Sequence, residues 1–276
     1  MLQIASTGGK GGTGKSTFAV LLAIKLSREG RRVLLCDCDV ECPNDHLLLG
    51  KKLTSAEPNP IYQDYPVLDE GKCVSCGLCS KACRENAIMW VKGKPPVFFL
   101  NLCTGCGACW ITCPRGAIGT GKEEIGESFI TRVKENLWLL TGRSKPGVSE
   151  TGPVVREVKK RALKFAEENG IDAIIVDTSP GAHCNVIQAL MGCERAYVVT
   201  EPTPLGAHDA GLILRLLEVM GIPGEIVLNK ADVGDRSVIE RIAKEHGVSI
   251  TLEIPYSERL VRAYSHGRLE EVVDLI

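Results

Sequence analysis

A chain of 276 residues can bury a full α/β core and still carry one small additional module. Its net charge of −1 gives no bulk attraction to nucleic acid or anionic membrane, and 5% aromatic residues make no obvious base-stacking surface. No apolar stretch approaches the ~18 residues of a spanning helix, and the short acidic ending RLEEVVDLI argues against a basic membrane-targeting helix, so no stable membrane anchor is expected.

In chain order, residues 2–5 form a short apolar strand followed by a loop over 6–14. Phe18, Leu21, Leu22 and Leu26 recur at helical spacing, predicting a helix over 15–29 that Gly30 stops. Residues 32–36 form the next strand, and a loop beginning Asp37-Cys38-Asp39 leaves its C-terminal end. Residues 56–66, rich in proline and aromatic side chains, mark a boundary, and 67–120 hold most of the cysteines with many glycines. Residues 121–152 are a return passage with strand-like runs at 128–133 and 137–141. Beyond it come a helix over 153–169, a strand over 173–177, a short helix, a strand over 196–200 and a helix over 207–220. A strand over 225–229, a helix over 236–246 and a strand over 249–253 follow. Alternating strands and helices predict an α/β fold with a mostly parallel sheet covered on both faces. The expected organisation is a discontinuous P-loop domain, 1–62 and 121–276, with a small α+β domain inserted at 63–120.

The loop Gly9-Lys10-Gly11-Gly12-Thr13-Gly14-Lys15-Ser16, continued by Thr17, fits the G-x4-G-K-[ST] pattern at a strand-to-helix turn. Its glycines allow several backbone N–H groups to point at one phosphate chain. Lys15 is placed to reach the β and γ phosphates, Ser16 to coordinate Mg²⁺, and the helix start to add its positive end.

Cys73, Cys76, Cys79 and Cys83 recur thirty positions later as Cys103, Cys106, Cys109 and Cys113, both runs reading C-x2-C-x2-C-x3-C. Four soft thiolates at this spacing suit a [4Fe–4S] cluster, and two such runs make two clusters. A zinc site is the competing use of four cysteines. With eight of thirteen cysteines in this pattern and ample core elsewhere, disulfide stapling is not expected; the reading is a reducing cytoplasm.

The second lysine, Lys10, gives K-G-G-T-G-K-S, which resembles the deviant Walker A loop of the MinD/Mrp/ParA and nitrogenase iron-protein ATPases. DCDVECPNDHLLLG (37–50) resembles that family's first switch, and DAIIVDTSPG (172–181) its second. TEPTP (200–204), LNKAD (228–232) and the proline of IPY (254–256) match later segments. The resemblance implies ATP with Mg²⁺ as ligand, and a homodimer formed with ATP in which Lys10 reaches the partner's nucleotide. It implies that Asp39 orients the attacking water, that Asp177 binds Mg²⁺ and that Asp37 supports the metal shell. Gly181 would sense the γ-phosphate, while Asn229 and Pro255 lie at the base. For Asp37, capping the following helix stays equally open. Asn229-Lys230-Ala231-Asp232 also resembles the N-K-x-D motif of GTPases, which leaves GTP open.

Residues 67–120 resemble a bacterial two-cluster ferredoxin, including Ala87-Ile88 and Ala117-Ile118 after the two runs; Arg84 departs from the proline expected there, whereas Pro114 matches. The resemblance implies that each fourth cysteine serves the other cluster: Cys73, Cys76, Cys79 and Cys113 for one, Cys83, Cys103, Cys106 and Cys109 for the other. Of the remaining cysteines, Cys36 and Cys193 read as small core residues. Cys42 and Cys184 are candidates for a metal shared across a dimer, as in the nitrogenase iron protein and related metal-loading ATPases.

The combined expectation is an ATPase coupling a nucleotide-driven dimer switch to electron transfer through two [4Fe–4S] clusters, with an unidentified redox or metalloprotein client. A maturation ATPase that loads metal or cluster is one alternative, and a positioning or partition ATPase another. An amidoligase of the cobyrinate-synthase type shares the core, but 276 residues leave no room for a glutaminase domain.

Overall fold

The computed structural model describes residues 1–53 and 57–276, so the first position of the expected boundary at 56–66 lies outside the described residues. The chain divides into two compact units. Unit 1 comprises Met1–Asn59, Ser128–Arg143 and Val155–Ile276, and unit 2 comprises Pro60–Glu127 and Ser144–Val154. The second unit therefore extends past the stretch 63–120 at both ends and recruits a separate segment near 150.

Unit 1 is built on parallel strands. In chain order these are β1 (Leu2–Thr7), β2 (Val33–Asp37), β7 (Leu137–Ser144), β8 (Ala173–Asp177), β9 (Arg195–Thr200), β10 (Gly224–Asn229) and β11 (Ile250–Ile254). They lie side by side in the order β11-β10-β9-β1-β8-β2-β7. Every residue of β2 and β8 is buried, as expected of central strands covered on both faces, and their apolar runs end in Asp37 and Asp177. Strand β6, Ile118–Lys134, enters unit 1 from Ser128 and connects to β7 through Glu135 and Asn136, the short link of an antiparallel hairpin.

Helix α1 (Lys15–Arg28) buries Phe18, Ala19, Val20, Leu21, Ala23 and Ile24. Ala19 through Ile24 share a core with Val33 and Leu35 of β2, Ile175 of β8, and Val272 and Val273 of the C-terminal turn. Helix α5 (Gly152–Asn169) starts within one residue of the expected position. Helix α7 (Pro204–Met220) starts three residues before the expected 207, because Thr203 accepts the Gly206 N–H at 3.0 Å and proline occupies the first turn. Helices α2 (Asp45–Leu48), α6 (Cys184–Leu190), α8 (Ser237–Glu245) and α9 (Glu258–Ser265) complete the unit; α2 and α9 are too short or too polar to stand out in the sequence. No helix among the described residues is long and apolar enough to cross a membrane.

In unit 2 the stretch expected to mark a boundary runs into a ten-residue strand, β3 (Asn59–Leu68). Pro60 and Pro66 hid it, yet β3 is an edge strand whose one neighbour is β6, where a missing donor is tolerated. Two short helices, α3 (Leu78–Ala82) and α4 (Ala108–Ile111), lie within the cysteine runs and carry Cys79 and Cys109, and β4 (Ile88–Met89) pairs antiparallel with β5 (Val97–Phe98). The backbone repeats as faithfully as the cysteines do. Left-handed residues fall at Ser75, Gly77 and Asn86 and again thirty positions on at Gly105, Gly107 and Gly116. Gly77 and Gly107 also lie against indole rings, with an added Cβ 2.6 Å from Trp90 and 3.0 Å from Trp110. The core between the halves is Cys79, Ile88, Cys109 and Ile118.

Packing between β7 and α5 supplies a test. A Cβ on Gly142 would lie 2.6 Å from Val158 Cγ2 and 2.7 Å from Val40 Cγ1. Gly142→Ala is expected to destabilise the protein by about 1–3 kcal/mol, read as a lower urea midpoint; an unchanged midpoint would mean that this contact yields without cost.

Candidate functional site

The ends of β1, β8 and β2 are in register. Ser6 lies beside Asp177, and Asp177 beside Asp37, so the strand ends deliver a hydroxyl and two carboxylates to one edge of the sheet. The phosphate loop rises directly from β1. Ser6 Oγ donates to Lys15 O at 2.9 Å, fixing the last turn of the loop to the strand it leaves. Asn229, at the end of β10, donates through Nδ2 to Thr13 O at 2.9 Å, while Gly14 beneath it takes φ 98°. A Cβ at Gly14 would lie 2.5 Å from that amide, so only glycine permits this closure. Gly9 is pressed against Asp209 of α7, whereas side chains at Gly11 and Gly12 would meet nothing within 4 Å. The loop is thus braced from behind and open in front.

Lys15 is buried, and in this state its Nζ donates to Lys10 O at 2.7 Å. Burial lowers its pKa, against the opposing pull of Asp177 and Asp39. Ser16 Oγ donates to Asp177 Oδ2 at 2.6 Å. Asp177 is pushed up to about 7 by burial, with Ser16 and Lys15 acting the other way. Its Oδ1, Thr13 Oγ1 and Ser179 Oγ are buried without a partner among the described residues, the condition of a polar site shaped for a ligand.

Two of the first-switch aspartates, Asp37 and Asp39, differ in setting. Asp39 is partly exposed; burial raises its pKa, while the Cys42 N–H and Lys15 lower it. Asp37 is fully buried, and its Oδ2 accepts the N–H groups of Asn44 at 3.1 Å and Asp45 at 3.2 Å. Its Oδ1 accepts the Asp39 N–H at 3.2 Å. Asp37 therefore organises the whole turn, with the capping geometry that the sequence left open. Burial, then Asp177, raise its pKa well above the ordinary carboxylate range.

Asp45 was not among the residues singled out by motif. It is fully buried, and one oxygen each of Asp37, Asp45 and Asp177 lie within 4.8 Å of one another. A lone aspartate at a helix start reads as an ordinary first-turn acid, and nothing in the spacing signals that it points inward.

Lys10 lies with Nζ 3.6 Å from Glu201 Oε2, and Lys230 holds the other oxygen of Glu201 at 2.5 Å. Gly181, at φ 94°, donates its N–H to Gly8 O at 3.2 Å, tying the second switch to the base of the phosphate loop. Pro255 is exposed beside Tyr256, whose N–H donates to Asp232 Oδ1 at 2.6 Å, so the LNKAD and IPY segments meet. Thr17 is partly buried on the first turn of α1.

Residues 4–270 match the CobQ/CobB/MinD/ParA nucleotide-binding domain, CbiA. The chain belongs to this family. It is a nucleotide-binding ATPase of the MinD/ParA type. The chain is 36% identical to the Methanocaldococcus jannaschii protein MJ0579 over 97% of its own length and 90% of that protein's. It is 22% identical to the iron-sulfur cluster carrier protein of Pyrococcus horikoshii, over 92% of this chain and 73% of that protein. Its fold resembles the MinD of Pyrococcus furiosus at a TM-score of 0.57 and 20% identity, covering 96% of this chain and 88% of that one. The MinD complex with Mg-ADP from Pyrococcus horikoshii matches at the same TM-score and 21% identity, covering 96% and 86%.

In unit 2 the thiols gather in two groups. One cavity is lined by Cys73, Cys76, Cys79 and Cys113 together with Leu68, Pro96 and Ile118. A second is lined by Cys83, Cys103, Cys106 and Cys109 with Pro66, Ile88 and Phe98. Each thus takes three cysteines from one run and the fourth from the other. Gly105 N–H points to Cys103 Sγ at 3.5 Å and Ala117 N–H to Cys113 Sγ at 3.3 Å. Burial pushes the Cys109 thiol up to about 11 and also raises Cys79 and Cys103. At Cys113 burial acts upward too, but the N–H groups of Arg115, Ala117, Ile118 and Gly116 outweigh it and lower the pKa.

The remaining cysteines divide by exposure. Cys36, Cys38 and Cys193 are buried, with Cys36 and Cys38 sulfurs 3.6 Å apart. Cys42 and Cys184 are exposed, Cys42 in the turn after β2 and Cys184 at the first residue of α6, and the two segments meet where Asn185 Nδ2 lies 3.5 Å from Glu41 Oε1.

Asn229 gives this site its sharpest test. Asn229→Ala leaves the buried Thr13 carbonyl unpaired and is expected to weaken ADP binding by about 5–15-fold, consistent with ~1–1.5 kcal/mol for one hydrogen bond. Calorimetric titration measures this directly; unchanged affinity would show that the loop holds its shape without Asn229.

Proposed function

We propose that this chain couples ATP binding and hydrolysis to electron transfer through two [4Fe–4S] clusters, using a nucleotide-driven dimer as the switch. The observation that supports it is the three-plus-one grouping of eight thiols around two cavities, in a chain that also carries the lysine-rich phosphate loop. Exchange of the fourth cysteine between runs is the arrangement of two-cluster ferredoxins. The donor set fits the group: soft sulfur ligands, apolar walls and backbone N–H groups aimed at two sulfurs to offset negative charge. Bound clusters would supply one-electron redox chemistry, with potentials set by those hydrogen bonds and by exposure.

Raised thiol pKa values at Cys79, Cys103 and Cys109 mean that these groups stay protonated until metal arrives and release protons on ligation. On the nucleotide side, Lys15 would leave the Lys10 carbonyl for the phosphates. Gly181 would exchange Gly8 for the γ-phosphate, and Lys10 would leave Glu201 for the partner's nucleotide. Each is a hydrogen bond or ion pair held within the chain here and released to a ligand, the form a two-state switch takes. Asp39, the more accessible first-switch carboxylate, would orient the attacking water.

A second reading, an ATPase that delivers metal or a cluster to a client, is favoured by the exposed Cys42 and Cys184 on neighbouring segments. In a symmetric dimer these would place four thiols near one axis. The name of the Pyrococcus horikoshii relative points the same way.

An anaerobic EPR-monitored redox titration of the iron-loaded protein, with and without a non-hydrolysable MgATP analogue, separates the two. A nucleotide-dependent shift in cluster potential supports gated electron transfer. Two intact clusters with no shift and normal turnover support delivery, and zinc in place of iron at the eight cysteines sinks the electron-transfer reading. Lys10→Ala is expected to lower ATP turnover at least ~10-fold, the order of a charge supplied in trans, while leaving ATP affinity within about threefold. Unchanged turnover would remove the dimer from the mechanism.

A further inference from the structure

We propose that Asp45 joins Asp37 and Asp177 in a binding site for a hard divalent cation, and that this site fills before nucleotide arrives. All three carboxylates are buried, with one oxygen from each inside a 4.8 Å span. Mg²⁺ takes oxygen ligands at ~2.0–2.1 Å and Ca²⁺ at ~2.3–2.6 Å, so three oxygens within 4.8 Å of one another can be drawn onto one ion with little movement.

Hydrogen bonding separates Asp45 from the other two. Asp37 is held by three backbone N–H groups and Asp177 by Ser16. Both oxygens of Asp45 are buried and meet no donor among the described residues, and neither does Asp177 Oδ1. After burial itself, the groups that disfavour a charge on Asp45 are, in order, Asp37, Asp177, Cys36 and Asp39. Three ionised carboxylates in so small a buried volume are untenable without a cation, and a site made only of oxygen donors selects a hard one.

Magnesium at a phosphate loop ordinarily arrives with the nucleotide, held by one or two carboxylates and the phosphates. A third carboxylate supplies the missing anionic ligand from the protein. The consequence is cation binding by nucleotide-free protein, with Asp45 tethering the first switch, through α2, to the metal.

The probe is Mn²⁺. Nucleotide-free full-length protein is titrated with Mn²⁺, free ion being followed by EPR at room temperature, and thermal unfolding is recorded with and without the ion. We expect one saturable site per chain that Mg²⁺ competes for, and a rise in melting temperature without nucleotide. Asp45→Asn, close in size, is expected to weaken Mn²⁺ binding at least ~10-fold while ADP affinity in metal-free buffer is retained. Mn²⁺ binding by Asp45→Asn equal to that of the parent overturns the proposal. So does nucleotide-free parent protein that neither depletes free Mn²⁺ nor gains stability, since the carboxylates are then neutralised by protons. The parent measurements decide the matter even if the variant fails to fold. The test does not involve the eight cysteines of unit 2, so its outcome is independent of the redox reading.

Discussion

Two carboxylates in register at the ends of buried parallel strands are the constraint on which the nucleotide side of this protein depends. Strands β2 and β8 are buried throughout, and each terminates in an aspartate. Their pairing places Asp37 beside Asp177, and Ser6 of β1 lies beside Asp177 in turn. Like charges so placed in a low-dielectric interior must be offset, and the surrounding structure does so by several routes. Ser16 donates to Asp177, three backbone amides converge on Asp37, and Lys15 is drawn toward Asp177 and Asp39. The phosphate loop and both switches are therefore organised around one concentration of negative charge. Phosphoryl transfer needs such an arrangement, because positioning and charge compensation are most of its catalysis.

The second unit answers a different constraint. Cysteines with two or three residues between them can converge only if the backbone turns sharply. The left-handed residues Ser75 and Gly77, with their counterparts Gly105 and Gly107, provide those turns within the runs, and Asn86 and Gly116 repeat the pattern three residues past each run. Packing Trp90 on Gly77 and Trp110 on Gly107 then seals each turn, and burying Cys79 and Cys109 with Ile88 and Ile118 joins the halves. A unit this small has little core of its own. Its sulfurs serve both as apolar filling and as candidate ligands, and this dual use raises the pKa of the buried thiols.

On the nucleotide side the donors are already engaged. Lys15, Gly181 and Lys10 all spend their donors on partners within the chain. Under the proposed function, nucleotide binding would exchange these partners rather than fill a void, and one ligand would move both segments.

The strands of unit 1, its main helices, the phosphate loop and both cysteine runs were legible in the sequence because each rests on local pattern: apolar runs ending in Asp37 and Asp177, helical spacing over Phe18–Leu26, fixed cysteine intervals. Prolines concealed β3, since a propensity argument cannot know that Pro60 and Pro66 sit on an edge strand. Only tertiary structure decided which way Asp45 points and which partner holds Lys10, whereas the resemblance to two-cluster ferredoxins already implied that Cys113 stands with Cys73, Cys76 and Cys79. The reason is physical. Local sequence determines backbone geometry over a few residues, whereas burial and charge at a side chain depend on segments far along the chain, such as Asp45 against Asp177.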